Sequence, residues 1–235
     1  MTISEQEHTV TAFDDDLRFL MDKISQMGGH AETMVARSVN ALARGDNALA
    51  ASVIREDSQL DHLQREVDDH GVSLIARRQP MAHDLREVIG AMRIANDLER
   101  IGDLGTNIAR RVSEIDDIIQ PKRLMRGIEH LTGLAMQQLK NVLDAYIHKD
   151  VEKAVDVWFA DEGVDAIYSS LFRELLTYMM EDPRNITMCT HLLFCAKNIE
   201  RVGDHATNLA ETILYVVEGH TDIRSVRDPN RLRDE

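Results

Sequence analysis

The sequence predicts an all-α protein built as two tandem three-helix bundles from an internal duplication. Three observations carry this prediction. Extended alternating runs are lacking and aromatic residues make up only 4% of the 235-residue chain, so strand signals are nearly absent. Only four prolines occur, and Pro80, Pro121 and Pro183 each stand where a first helical turn would begin. The segment LERIGDLGTNIA at 98–109 returns as IERVGDHATNLA at 199–210, with seven of twelve positions identical.

The first helix is expected near 9–44, ending at the Gly45-Asp46 break. The second, near 47–78, carries Asp57-x-x-x-Asp61. Its Val53, Leu60, Val67 and Leu74 recur every seven residues as one buried column, and Asp57, Gln64 and Gly71 form the alternate column. Asp57 therefore takes a seam-edge slot where an apolar residue would be expected. The third helix, near 80–116, starts a stripe at Leu85, Ile89 and Met92 that continues into Asn96, Glu99 and Asp103. Its later apolar residues, Ile94, Leu98, Ile101, Ile108 and Val112, lie on a different side.

The fourth helix, near 121–148, ends at Lys149-Asp150. The fifth, near 151–181, repeats the second, with Val157, Val164 and Leu171 in one column and Asp161, Tyr168 and Leu175 in the other; Asp165 completes its acidic pair. The sixth, near 183–219, leads through Ile186, Thr190, Leu193 and Lys197 to Glu200 and Asp204. The halves are offset by 104 residues at the Asp pairs and by 101 at the repeated motif, a small insertion or deletion near the hairpin. The first unit is thus 1–118 with a tail over 1–10, and the second is 119–235 with a tail over 221–235, joined near Ile119–Arg123.

Composition narrows the function. A formal net charge of −14 argues against non-specific nucleic-acid binding and suits a soluble protein that attracts cations or basic partner surfaces. No basic region followed by an apolar run opens the chain, and no apolar run approaches the roughly 20 residues of a membrane span, so a cytoplasmic protein is expected. Cys189 and Cys195 are expected to be reduced core residues.

An antiparallel hairpin about residue 79 sets Asp61 against Glu99 and Asp57 against Asp103, each pair mismatched by about 3 Å along the axis at ~1.5 Å per residue. A hairpin about residue 182 does the same for Asp165 with Glu200 and Asp161 with Asp204. Carboxylates ~6 Å apart at an effective dielectric of ~20 repel by up to ~3 kcal/mol per pair before screening. A cation, an arginine or a shared proton must offset this. Arg100 and Arg201 point ~100° away from their glutamates and are imperfect partners. Asn107 and Asn208, one turn beyond Asp103 and Asp204, add neutral oxygens on the same face. Such an oxygen set suits a hard or borderline cation: Mg, Mn, Ca or iron. A single Asp/Glu pair four apart usually lies on a solvated face; four pairs in register make a site the better reading. Gly102 and Gly203 read as packing positions, and Arg77, Arg78 and Arg86 as a helix junction that could bind phosphate or a partner.

These residues resemble the PhoU family of accessory regulators of high-affinity phosphate uptake. The resemblance rests on ARRQPMAHDLR (76–86), on the two copies of the repeated motif and on LTYMMEDPRNI (176–186), and it covers nearly the whole chain. It implies a PhoU-like fold and a non-enzymatic role. The family's acidic motif falls on Asp57/Asp61, Glu99/Asp103, Asp161/Asp165 and Glu200/Asp204, where members bind metal clusters, so divalent or trivalent ions, iron, Mn or Mg first, are the implied cofactors. Also implied are inhibition of a phosphate-responsive sensor histidine kinase and restraint of the phosphate ABC transporter when phosphate is plentiful. The implied partners are the kinase, the transporter's ATPase and membrane components, and a second copy in a homodimer, with membrane contact only through partners. Leu104-Gly105 against His205-Ala206 is the main difference between the copies. A carboxylate-bridged di-iron enzyme or ferritin-like protein would need Glu-x-x-His pairs, and the only such spacing is Glu5-x-x-His8. A metal-independent structural adaptor is the other alternative.

Overall fold

The computed structural model describes residues 3–115 and 122–226, with side chains from Phe13 onward. Pro121, the boundary between 118 and 119, most of the expected junction, the side chains of Glu5 and His8, and the last residues of the C-terminal tail lie outside this description. Among the described residues there are seven helices and no strand: α1 (Ile3–Arg44), α2 (Asn47–Arg78), α3 (His83–Val112), α4 (Lys122–His148), α5 (Val151–Glu181), α6 (Ile186–Glu218) and α7 (Ile223–Val226).

Several boundaries differ from the sequence reading, and α3 ends at Val112 rather than near 116. α1 begins at Ile3 rather than near 9, and α7 falls inside the expected tail. α3 starts three residues after Pro80, because Gln79 and Ala82 both take positive φ, 49° each, and turn the chain before it can wind. Pro183 opens a short 3-10 turn, Pro183–Asn185, that leads into α6.

Both bundles use the same break between their first two helices. A left-handed residue, Gly45 at φ 63° or Lys149 at φ 52°, is followed by an aspartate N-cap. Asp46 accepts the Leu49 N–H at 2.9 Å, and Asp150 accepts the Lys153 N–H at 3.0 Å. Each cap satisfies an otherwise orphaned backbone donor, and contributes about 1 kcal/mol.

α2 buries the expected column Val53, Leu60, Val67 and Leu74; α5 buries Val157, Val164 and Leu171. They can remain one-sided because each packs mainly against two neighbours, α2 on α1 and α3, and α5 on α4 and α6. α3 and α6 are buried on several sides, because they also pack against each other. They run antiparallel: Asp97 meets His205, and Arg111 lies over the Phe194 ring at 4.5 Å. Arg93 lies 4.6 Å over Tyr215. The two bundles are therefore fused along α3 and α6 into one continuous apolar core.

Cys189 and Cys195 are buried free thiols on α6, and burial pushes the Cys195 thiol up to about 12 against the opposing pull of Arg111. Among the described residues no helix is long and apolar enough to cross a membrane.

Candidate metal centres

The turn at Gln79–Ala82 folds α2 back along α3 and brings Asp57 and Asp61 to the level of Glu99 and Asp103. The register is fixed by Thr106, fully buried on α3, whose hydroxyl donates to Asp57 Oδ1 at 3.1 Å. Burial raises the Asp57 carboxyl above its ordinary value; the Thr106 hydrogen bond and Arg110 pull it down, and Asp103 and Asp61 push it further up. Burial likewise raises Glu99, with Asp103, Asp61 and Asp57 adding to the rise and Arg100 opposing it. The expected quartet thus acts as one electrostatic group.

Arg100 does more than its position on the helical wheel suggested. Its long side chain folds back so that Nη1 donates to Asp103 Oδ2 at 3.1 Å while Nε lies 3.4 Å from Glu99 Oε2. That glutamate oxygen is fully buried and accepts no hydrogen bond among the described residues.

The second face, between α5 and α6, is built differently. Glu200 is only 7% exposed and Asp161 is half-buried, whereas Asp165 and Asp204 are exposed. Burial raises both Asp161 and Glu200, and Asp165 and Asp204 raise them further. Lys197, one turn earlier on α6, pairs with both Glu200 oxygens. Gln138 reaches in from α4 and donates to Asp161 Oδ1 at 3.2 Å.

The repeated glycines serve different neighbours. A Cβ at Gly102 would lie 2.2 Å from Leu60 Cδ2, so this glycine admits a core side chain, as expected. A Cβ at Gly203 would meet Asp161 Oδ1 at 2.8 Å and Gln138 Oε1 at 2.9 Å, so this one admits two oxygens.

The two asparagines lie one turn beyond Asp103 and Asp204 but are engaged elsewhere. Asn107 Oδ1 accepts from Arg110 at 3.2 Å. Asn208 Nδ2 donates across the bundle junction to Asp97 Oδ1 at 3.5 Å, beside His205 Nδ1 at 2.8 Å from the same oxygen. The difference His205 against Leu104 between the two motifs is therefore a junction contact. The basic cluster is divided too. Arg77 and Arg78 approach Asp16 of α1 at 3.9 and 3.8 Å, joined by His70 at 3.1 Å. Arg86 donates to the Val216 carbonyl at 3.4 Å, near the C-terminal end of α6.

Among the described residues no three His, Cys, Asp or Glu side chains converge closely enough to hold an ion as they stand. Arg100 and Lys197 supply the positive charge in this arrangement. By type, the donors fit a hard cation: they are all oxygens, four of the carboxyls are raised by burial and crowding, and Glu99 Oε2 and Gln138 Oε1 are buried without hydrogen-bond partners among the described residues. The sequence pattern assigns no role to Thr106 or Gln138, and it names Lys197 only as a position on the α6 stripe. Lys197 stands three residues before Glu200 on the stripe that leads to it. Gln138 interrupts the buried α4 column Leu131, Ala135, Val142 and Ala145, and a polar residue in such a column was a legible signal.

The PhoU domain family model matches residues 24–112 and again residues 128–213. The phosphate-specific transport system accessory protein PhoU homolog of Rhizobium meliloti is 59% identical over 212 residues, covering 90% of each chain. Its Caulobacter vibrioides counterpart is 48% identical over 213 residues, covering 91% of this chain and 93% of that one. The crystal structure of PhoU from Pseudomonas aeruginosa superposes with a TM-score of 0.84 at 37% identity, over 88% of this chain and 99% of the other. That of the phosphate transport system regulatory protein PhoU from Streptococcus pneumoniae gives 0.82 at 26% identity, over 89% and 98%.

Proposed function

This chain belongs to the PhoU family, and on that premise we propose that it is a non-enzymatic negative regulator of phosphate uptake and of the phosphate-starvation regulon. The observation that supports this most is the duplicated acidic face, in a chain whose relatives are named as accessory proteins of the phosphate-specific transport system.

In this reading a divalent or trivalent ion, iron, Mn or Mg, is held on the first face by Asp57, Asp61, Glu99 and Asp103. On the second it is held by Asp161, Asp165, Glu200 and Asp204, with Asn107 and Asn208 at the margins. When bound, the ion supplies the positive charge that offsets carboxylate repulsion. Arg100 and Lys197 balance part of that charge from within the chain and must yield some of it to an ion. With the repulsion offset, α2 is held to α3 and α5 to α6, and the bundles become stiff docking surfaces.

Those surfaces engage the phosphate sensor histidine kinase and the ATPase and membrane components of the phosphate ABC transporter when phosphate is plentiful. Arg77, Arg78 and Arg86 mark one end of the molecule where a partner could be held, Arg77 being the most open of the three. The protein works in the cytoplasm as a homodimer of two-unit chains divided at 118/119, meets the membrane only through its partners and binds no nucleic acid.

Deleting the gene and measuring alkaline phosphatase in phosphate-rich medium tests the regulatory reading. It requires derepression; phosphatase that stays repressed contradicts it. Pull-downs with the kinase and the transporter ATPase at high and low phosphate test docking, which requires capture at high phosphate.

A further inference from the structure

Gln138 occupies a buried column of α4 and is itself only 4% exposed. An amide in such a place destabilises the fold unless both of its ends are paired. One end is paired: Nε2 donates to Asp161 Oδ1 at 3.2 Å and to the Val157 carbonyl at 3.5 Å. The Val157 carbonyl is an acceptor only, as is Asp161 when ionised, so reversing the amide would set its oxygen against theirs. The orientation is therefore fixed, and Oε1 faces the other way, fully buried and, among the described residues, without a hydrogen-bond partner. It is turned toward Gly203, where a Cβ would meet it at 2.9 Å and Asp161 Oδ1 at 2.8 Å. The missing side chain at 203 keeps this slot between α4, α5 and α6 open to two oxygens.

The first bundle has no such slot. Met34 stands 104 residues before Gln138, the same offset that relates Asp57 to Asp161, and is buried in α1. A Cβ on Gly102 would meet Leu60 Cδ2 at 2.2 Å and Met34 Sδ at 3.6 Å, apolar carbon and thioether in place of carboxylate and amide. Asp57 is held by the Thr106 hydroxyl, whereas Thr207 donates to the Asp204 carbonyl of its own helix at 2.7 Å.

We propose that Gln138 Oε1 is a neutral oxygen ligand of the second acidic face, supplied by α4, and that it makes this face the tighter of the two for a hard cation. The inference rests on the metal-binding reading above. A carboxylate-rich set gains a further oxygen at the second face, while the soft thioether of Met34 offers a hard cation little at the first. The duplicated bundles then fill in sequence as metal becomes available.

The test is a calorimetric titration of the full chain with MnCl2, comparing wild type, Gln138→Met and the double variant Asp161→Asn/Glu200→Gln. Wild type is expected to show two classes of site. Gln138→Met, which installs the first bundle's residue, should weaken the tighter class by about tenfold or more and leave the other unchanged. The double variant should lose the tight class. A Gln138→Met isotherm that matches wild type, while the double variant loses a class, overturns the role of Gln138 and leaves the metal reading standing. Wild type that takes up no Mn2+ overturns both.

Discussion

Thr106 on α3 donates its hydroxyl to Asp57 Oδ1 on α2 at 3.1 Å, and through this bond the first acidic face is held in register. Thr106 is buried, so Thr106→Val keeps the shape and removes only the donor. The variant should lose about 1 kcal/mol in urea denaturation. It should also hold Mn2+ more weakly, because the hydroxyl is the chief influence that pulls the Asp57 carboxyl down.

The raised carboxyls set the pH dependence of the metal-free protein. Burial and neighbouring aspartates lift Asp57 above its ordinary value of 3.8. A group whose pKa is higher in the folded state stabilises the fold at pH below the unfolded value, and that contribution is lost as pH rises through the folded value. Metal-free Asp57→Asn, which can still accept from Thr106, should therefore melt higher than wild type at pH 7. Each kcal/mol recovered corresponds to about 2–4 °C. The gap should close as pH falls below 3.8, a trend that paired melts across the range would measure.

Lys197 pairs with both oxygens of the buried Glu200. Lys197→Met should destabilise the metal-free protein by about 1–3 kcal/mol, since it leaves a buried charged group without its donor. The same change should tighten Mn2+ binding on that face, because the ion no longer displaces a resident ammonium. Opposite signs in denaturation and titration are the signature; weaker metal binding would mean that Lys197 supports the site and does not compete for it.

His205 and Asp97, each 14% exposed, join the bundles at 2.8 Å. Among the described residues His205→Ala leaves Asp97 only the longer contact from Asn208 at 3.5 Å, and it should cost about 1.5–3 kcal/mol. Because the bundles share one core, the variant should still unfold in a single transition at a lower urea midpoint. Two separated transitions would show that each bundle folds alone.

The sequence carried more of the acidic faces than of the packing around them. The seven-residue columns of α2 and α5 identified Asp57 and Asp161, and counting residues from the two hairpin turns placed Glu99, Asp103, Glu200 and Asp204 at the right level, because helix rise is regular. The fusion of α3 with α6 was hidden: its contacts, Arg93 on Tyr215 and His205 on Asp97, join residues over a hundred positions apart and have no periodicity of their own. Long side chains defeated the helical wheel, since Arg100 folds back to carboxylates that its Cα–Cβ direction points away from. Residue type likewise did not say where Asn107 and Asn208 turn their amides.

Metal content is the most direct test of the central claim, that the duplicated carboxylates form cation sites. Protein purified from phosphate-grown cells should be compared by elemental analysis with the folded variant Asp57→Ala/Asp61→Ala/Glu99→Ala/Asp103→Ala. Wild type should carry iron, manganese or magnesium, and the variant should lose the first face's share while retaining the second's. Unchanged metal content in the variant would remove these four residues from any site.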